Sequence, residues 1–417
     1  MLILYRILIN IIFFISPIII IYRLIKKKED IKRFKEKFCF FSEKRVKGKT
    51  IWFHGASVGE LQSIVPLIEK LEKNIKIKKI LVTSNTLSSS KVLQKLNFKK
   101  VVHQFFPIDT NFHSEKFLNY WRPSSALFID SEIWPNMYFN LKKRNLPIVL
   151  LNGRITKKSF ARWKMFSGFA KEIFSSFNLC LSSSKESSLY LKKLGAKNIK
   201  LIGNLKFSQS ENEKIKINDS LKKFILSRKT WCASSTHYDE EKFCGSIHNE
   251  LKKKYKNVLT IIIPRHVNRV NSIIKQLHKK GLNTHTYNSN KKINKNTDVF
   301  IVDTYGKTKT FYYFCKNVFL GGSFIKHGGH NPLEATRYGC NILHGPNIYN
   351  FKEIYDFLKK NKISQNINNK NEMTKSLLKL FSKKSETKKI QSKLNLISQK
   401  ILVNTYKEVK LILKNEI

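Results

Sequence analysis

Three segments of the sequence set glycines beside acids or histidines in patterns that chemistry uses. The first is His54-Gly55-Ala56-Ser57-Val58-Gly59-Glu60, directly after the apolar run 51–53. Gly55 and Gly59 bracket a tight turn that delivers Glu60 to the start of a helix. A carboxylate there either complements the helix dipole or acts as a general base on a sugar hydroxyl, a role typically contributing ~10²–10⁴-fold in rate. The second segment, Asp130-Ser131-Glu132-Ile133-Trp134-Pro135-Asn136, follows the run 126–129 and places acids, an aromatic and a proline at another strand end. Taken alone, it reads equally as a capped helix start.

The third segment begins at Gly321-Gly322-Ser323 and continues through His327-Gly328-Gly329-His330-Asn331-Pro332-Leu333-Glu334. Glycines let backbone approach phosphate oxygens, free N–H groups donate to them, and a helix N-terminus favours the anion. Pro332 suits a first helical turn, where its missing N–H costs little. Glu334, one turn in, can accept hydrogen bonds from a ribose diol.

These segments need strands to hold them, and the surrounding pattern supplies strands. From residue 49 onward short apolar runs alternate with amphipathic stretches: 50–53, a helix at 61–73, then 80–83, 101–106, 126–129 and 147–151. That alternation predicts a parallel sheet covered by helices, with site residues at strand C-termini. It resumes at 230–233, 259–263, 299–302, 317–320 and 340–343, after a polar stretch at 208–219 that reads as a linker. The tail from about 360 is rich in Lys, Leu and Asn and helical by pattern.

At 417 residues the chain has room for two domains. Lys and Arg number 79 against 29 Asp and Glu, a formal charge of +50 that draws phosphates and anionic lipid headgroups to the surface. No nucleic-acid-binding motif accompanies the charge, so no specific nucleic-acid partner is expected. The 6 cysteines show neither paired nor metal-ligand spacing and read as reduced core residues. Residues 7–22 are uncharged and dominated by Ile, Leu and Phe, interrupted by Asn10, Ser16 and Pro17. Sixteen residues reach roughly 24 Å, short of a ~30 Å hydrocarbon core, so a short span and a re-entrant anchor are both open. Arg23 and Lys26-Lys27-Lys28 follow in place of a small-residue cleavage site, which argues for a retained anchor with the remaining chain on the cytoplasmic side.

With these residues in view the chain resembles the 3-deoxy-D-manno-octulosonic acid (Kdo) transferase family of lipopolysaccharide biosynthesis. The likeness runs in order through His54 to Glu60, Pro107-Ile108-Asp109, Ser131 to Asn136, Asn152-Gly153-Arg154 and Gly195-Ala196. It continues through Gly203-Asn204-Leu205-Lys206-Phe207, Ser234 to His237 with Glu240-Glu241, Pro264-Arg265-His266, Asp303-Thr304, Gly321 to Glu334 and Gly345-Pro346. The resemblance implies an α/β fold of the GT-B type, two Rossmann-like domains facing across a cleft, preceded by a membrane-anchor helix. The expected boundaries are 1–28 for the anchor, 29–207 for the acceptor domain, 208–219 for the linker, 220–360 for the CMP-Kdo-binding domain and 361–417 for a C-terminal helical region. By motif, Glu60 resembles the family's catalytic base, with Ser57, Gly59 and Glu132 on the acceptor side. Gly322, Ser323, Gly328, Gly329, His330, Asn331 and Glu334 resemble its nucleotide-binding segment. Ser234, Ser235, Thr236, Pro264, Arg265 and His266 would stand at strand ends facing the same nucleotide.

The chain departs from the family pattern where Lys307 follows Gly306, where Asp130 stands for a more usual Glu, and at Ser182-Ser183-Ser184-Lys185. The implied activity is inverting transfer of Kdo from CMP-Kdo to a lipid A precursor at the inner membrane. A phosphate monoester leaves without a protein acid, no Asp-x-Asp motif is present, and neither a metal nor a cofactor is expected. Rival readings are another GT-B activity, such as a UDP-sugar transferase or an epimerase, and a basic protein that only binds anionic lipid or nucleic acid.

Overall fold

The computed structural model describes residues 1–96, 98–209, 217–384 and 386–414. It divides into two units, Met1–Ser210 with Ile397–Ile417, and Glu211–Leu396. Residues 210–216 of the expected linker lie outside the described residues.

Each unit is built on a seven-stranded sheet. In the first, β1 (Thr50–His54), β2 (Lys79–Ser84), β3 (Val101–Phe105), β4 (Ser125–Ile129), β5 (Ile148–Gly153), β6 (Leu179–Ser182) and β7 (Ile199–Leu201) lie in the order β3-β2-β1-β4-β5-β6-β7. The second holds β8 (Lys229–Thr236), β9 (Val258–Pro264), β10 (Thr284–Thr286), β11 (Val299–Ile301), β12 (Asn317–Leu320), β13 (Asn341–His344) and β14 (Ser364–Asn366), in the order β10-β11-β9-β8-β12-β13-β14. Neighbours pair in parallel, as at Phe53 opposite Val82 and Leu127, or Ala233 opposite Ile262 and Phe319. Parallel strands need crossovers that cover the faces, so central strands are apolar throughout. β1, β4 and β9 are accordingly buried from end to end.

The expected strands are all present, and four others escaped the pattern. β7, β10 and β14, with sequences Ile-Lys-Leu, Thr-His-Thr and Ser-Gln-Asn, are only three residues long and stand at sheet edges. β6, Leu-Cys-Leu-Ser, is buried but only four residues long. β14 lies inside the tail read as helical, and the last helix, Thr387–Lys414, begins in the second unit and ends in the first. All six cysteines are free and buried.

The N-terminal helix runs Leu2–Ile25, 24 residues, so it is about 36 Å long and sufficient by length to cross a bilayer. It extends past the uncharged run because Arg6 and Arg23 are good helix formers. Pro17 removes the N–H that would bond the Phe13 carbonyl. The Ser16 hydroxyl donates to that carbonyl instead, at 2.7 Å. Ser16 and Ile20 are the helix's buried residues, whereas Ile3, Phe14, Ile18 and Ile25 are more than 70% exposed. A core helix of a soluble domain would not leave that surface bare.

One end of this helix is nonetheless tied to the first unit. The Tyr5 hydroxyl donates to Asp109 Oδ2 at 2.7 Å, and Arg6 donates to Asn136 at 3.0 Å and Asn111 at 2.8 Å. Asp109, 1% exposed, also accepts the Asn136 and Met137 N–H groups at 3.0 and 2.9 Å. The Pro107-Ile108-Asp109 segment therefore seats the N-terminal helix. Burial pushes the Asp109 carboxyl up to about 7 against these hydrogen bonds.

Tyr5→Phe is expected to lower stability by about 1–3 kcal/mol, since a buried acceptor loses its donor; thermal melts in detergent measure it. Because Asp109 holds its proton in the folded state above its ordinary range, its contribution to stability should fall as pH rises from about 4 to about 7. Asp109→Asn should flatten that slope.

Candidate active site

In the first unit the site grows from the end of β1. A side chain at Gly55 would stand 2.9 Å from Ile129 Cδ1 and 3.2 Å from Glu60 Cβ, so the turn admits no larger residue without displacement. Ser57 caps the helix Val58–Glu72. Its hydroxyl donates to Glu60 Oε1 at 2.6 Å, while the Ala56 N–H donates to Oε2 at 2.8 Å. The geometry resembles a capping box displaced by one residue: Ser57 Oγ accepts the Glu60 N–H at 3.4 Å, while Glu60 reaches back to Ala56, the residue before the cap. Burial pushes the Glu60 carboxyl up to about 7; the Ser57 and Ala56 hydrogen bonds oppose this, and the charges of Asp130 and Glu132 reinforce it. A carboxylate so poised is half ionised near neutral pH, the condition under which a general base works best.

Glu132 follows β4, and its Oε2 accepts the Trp134 indole N–H at 3.0 Å and lies 3.3 Å from His54 Nε2. His54 is wholly buried, and burial holds its ring below the usual range even though Glu132 favours the proton. Asp130, the last residue before Ser131, has φ 57°, and Asn152 at the end of β5 has φ 54°. Left-handed backbone at a residue other than glycine concentrates at functional turns. The Asn152 side-chain NH₂ donates to Asp130, Asn152 Oδ1 accepts the Leu205 N–H at 2.8 Å, and Lys206 Nζ lies 2.8 Å from Asp130 Oδ2. Three signature segments distant in sequence thus converge on one aspartate.

In the second unit β8 carries a bulge. Its register against β9 shifts between Ser234 and Thr236, and Ser235 has φ 55°. A Cβ on Gly321 would lie 2.5 Å from the Ser235 carbonyl oxygen and 2.7 Å from Glu240 Oε2, which explains the glycine that ends β12. Glu240, 2% exposed, accepts N–H groups from His237 at 3.0 Å, Gly322 at 2.7 Å, Ser323 at 3.2 Å and Phe324 at 3.1 Å. Sequence reasoning counted Glu240 as part of a signature and gave it no role. The signal was an acid four residues beyond the end of a strand and at a helix start.

The predicted nucleotide-binding residues gather along the C-terminal edge of this sheet, with different duties. The Ser234 hydroxyl bonds Tyr312 at 2.7 Å, and the Ser323 hydroxyl donates to the Leu320 carbonyl at 2.6 Å while accepting the Gly345 N–H at 2.8 Å. Both serines are wholly buried, so they build the loop. The buried Thr236 hydroxyl has no protein partner. Pro264 ends β9, and beyond it Arg265 and His266 are exposed, with the Arg265 N–H bonded to the Thr236 carbonyl at 3.0 Å. Gly328 and Gly329 have φ 98° and 75°. Asn331 Oδ1 accepts the Leu333 N–H at 3.1 Å, and Glu334 is half-buried, near enough to Tyr312 that its charge adds to burial in raising the phenol's pKa.

One expectation is corrected. The helix that follows runs only Leu333–Arg337, five residues, because the chain turns at Gly339 (φ 73°) into β13. Such a stub builds no macrodipole. Sequence spacing also passed over a possible cation site, for His237, His327 and His330 place ring nitrogens within 4.8 Å of one another. His237 and His330 are pushed down to about 4 by burial and then by surrounding positive charge.

Residues 32–209 match the family model described as 3-Deoxy-D-manno-octulosonic-acid transferase (kdotransferase). The chain is 34% identical over 335 residues to the 3-deoxy-D-manno-octulosonic acid transferase of Rickettsia bellii, covering 79% of this chain and 79% of that one. It is 30% identical to the enzyme of the same name from Haemophilus influenzae, over 74% of this chain and 73% of that one. Among solved structures, UDP-GlcNAc 2-epimerase from Neisseria meningitidis superposes with a TM-score of 0.60 at 12% identity, covering 88% of this chain and all of that one. That likeness shows the fold, two Rossmann-like domains of the GT-B type. The relatives show the family: the chain belongs to the 3-deoxy-D-manno-octulosonic acid transferases, which are glycosyltransferases.

Proposed function

We propose that the chain transfers Kdo from CMP-Kdo to a glucosamine hydroxyl of a lipid A precursor such as lipid IVA, with inversion at the ketosidic carbon. The observation that carries this reading is Glu60, a carboxyl at a strand-to-helix turn pushed up to about 7 beside two further acids in a Kdo transferase chain. Glu60 takes the hydroxyl proton as that oxygen bonds to the anomeric carbon. The bond from that carbon to the CMP phosphate breaks, and the phosphate leaves with the electron pair. Ser57 and Gly59 shape the acceptor-side turn, and Glu132, fixed by His54 and Trp134, sets the field around Glu60. The Gly328 N–H with Arg265 takes up charge developing on the phosphate, while the Gly322 and Gly329 N–H groups, bonded to Glu240 and to the Gly322 carbonyl, shape the loop. Asn331 and Glu334 contact the nucleotide.

The exposed apolar face of helix Leu2–Ile25 and the charge of +50 support a seat on an anionic inner membrane, with both units on the cytoplasmic side. An epimerase shares the fold at 12% identity, whereas the relatives at 30–34% identity are Kdo transferases, which favours transfer.

Glu60→Gln separates chemistry from structure. Transfer should fall about 100-fold or more, some 2.7 kcal/mol in the barrier, while stability shifts by less than about 1 kcal/mol. Retention of more than about a tenth of the rate would remove Glu60 as the base. In the unaltered enzyme kcat/KM should rise with pH through about 7 as Glu60 ionises and then level off. That limb should vanish in the variant, as measured by CMP release.

Glu240→Gln replaces an acceptor of four N–H groups with one carbonyl oxygen and an opposing NH₂. CMP affinity by calorimetry should weaken at least about 10-fold, given about 1–3 kcal/mol per unsatisfied buried group. Unchanged affinity would show that the glycine loop does not depend on Glu240.

A further inference from the structure

We propose that His237, His327 and His330 form a binding site for a divalent transition-metal ion of the zinc class. The three rings come from two loops, His237 just beyond β8 and the others between β12 and helix Leu333–Arg337. One ring nitrogen from each lies within 4.8 Å of the others, and His237 Nε2 stands 3.0 Å from His330 Nε2. At that distance the two nitrogens cannot both carry hydrogens, so at least one presents a lone pair to the other. Two imidazoles on a tetrahedral ion at about 2.0–2.1 Å would be separated by roughly 3.3 Å, so the His237–His330 pair needs little movement to admit the ion, and the His327 nitrogen, within 4.8 Å, has to close in on it. Ring centroids of 4.4 Å for His237 and His327, 5.3 Å for His237 and His330, and 5.1 Å for His327 and His330 keep all three faces together.

The backbone behind each ring is clamped independently. Glu240 holds the His237 N–H at 3.0 Å, the Asn350 amide donates to the His327 carbonyl at 2.9 Å, and the Tyr355 hydroxyl donates to the His330 carbonyl at 2.9 Å. Such support pre-orients ligands before the ion arrives. Three neutral nitrogen donors without a carboxylate suit Zn²⁺, Co²⁺ or Ni²⁺, whereas Mg²⁺ and Ca²⁺ require oxygen. Three protein ligands leave a fourth position to water or an anionic oxygen. The site stands on the geometry of the second unit and does not depend on which sugar nucleotide is used.

The test uses the full-length chain without a histidine tag, in detergent, stripped with EDTA and desalted. Co²⁺ titration should develop the visible absorption of a tetrahedral site at one ion per chain, and Zn²⁺ should displace it and raise the melting temperature. His327→Ala, at an exposed position that leaves the fold intact, should weaken Co²⁺ binding by more than about 10-fold, since loss of even an outer-shell partner costs about 10–100-fold. His285→Ala, elsewhere in the same unit, should bind as the unaltered chain does. Absence of the absorption band, a stoichiometry other than one, or equal affinity in His327→Ala would overturn the site.

Discussion

Parallel strand pairing is the constraint from which the rest follows. Every return to the sheet needs a crossover, so all strand C-termini of a unit share one edge. Where crossovers leave in opposite directions the edge opens into a crevice, and in these two sheets that happens between β1 and β4 and between β8 and β12. Glu60 follows β1, Asp130 and Glu132 follow β4, His237 follows β8 and Gly321 follows β12. Close approach of backbone at these openings then dictates small residues. Gly55 lies against Ile129 and Gly321 against the Ser235 carbonyl.

Buried acids organise what the crevices hold. Asp109 gathers the anchor helix and the start of the Pro135–Lys143 helix, and Glu240 gathers four N–H groups of two loops. Glu36, 2% exposed, accepts the Phe105 N–H at 2.8 Å and pairs with Arg33 at 2.6 Å. Glu29, Asp130, Glu241 and Asp298 are buried as well, each beside a basic side chain. Each such acid is neutralised together with its basic partner, so the excess of +50 that the sequence carries is left for the rest of the surface.

Strands of the central sheet were readable from their apolar runs because both faces are buried, as at β1 and β9. Edge strands such as β10 and β14 were not, since three polar residues at an edge carry no periodic signal. Glu60 and the glycine loop were legible as types at strand ends. The duties of Ser234 and Ser323 were not, because a hydroxyl in a glycine-rich turn looks the same whether it meets a ligand or the Leu320 carbonyl. The role of Glu240 and the meeting of the three histidines escaped for a related reason. Their importance lies in contacts across about 90 residues of chain, between His237 and His330, which no local pattern encodes.

The last helix, Thr387–Lys414, starts in the second unit and finishes in the first, where Lys49 donates to the Leu413 carbonyl at 2.7 Å and Lys200 pairs with Glu408 at 2.7 Å. The second unit is therefore one uninterrupted stretch, whereas the first is assembled from both ends of the chain. A ribosome that has made every residue through Leu396 has made all of the second unit but not the segment from Ile397 that belongs to the first. The unit begun earliest is the one completed last, and the region around Lys49 and Lys200 waits for its cover until Glu408 and Leu413 have been made.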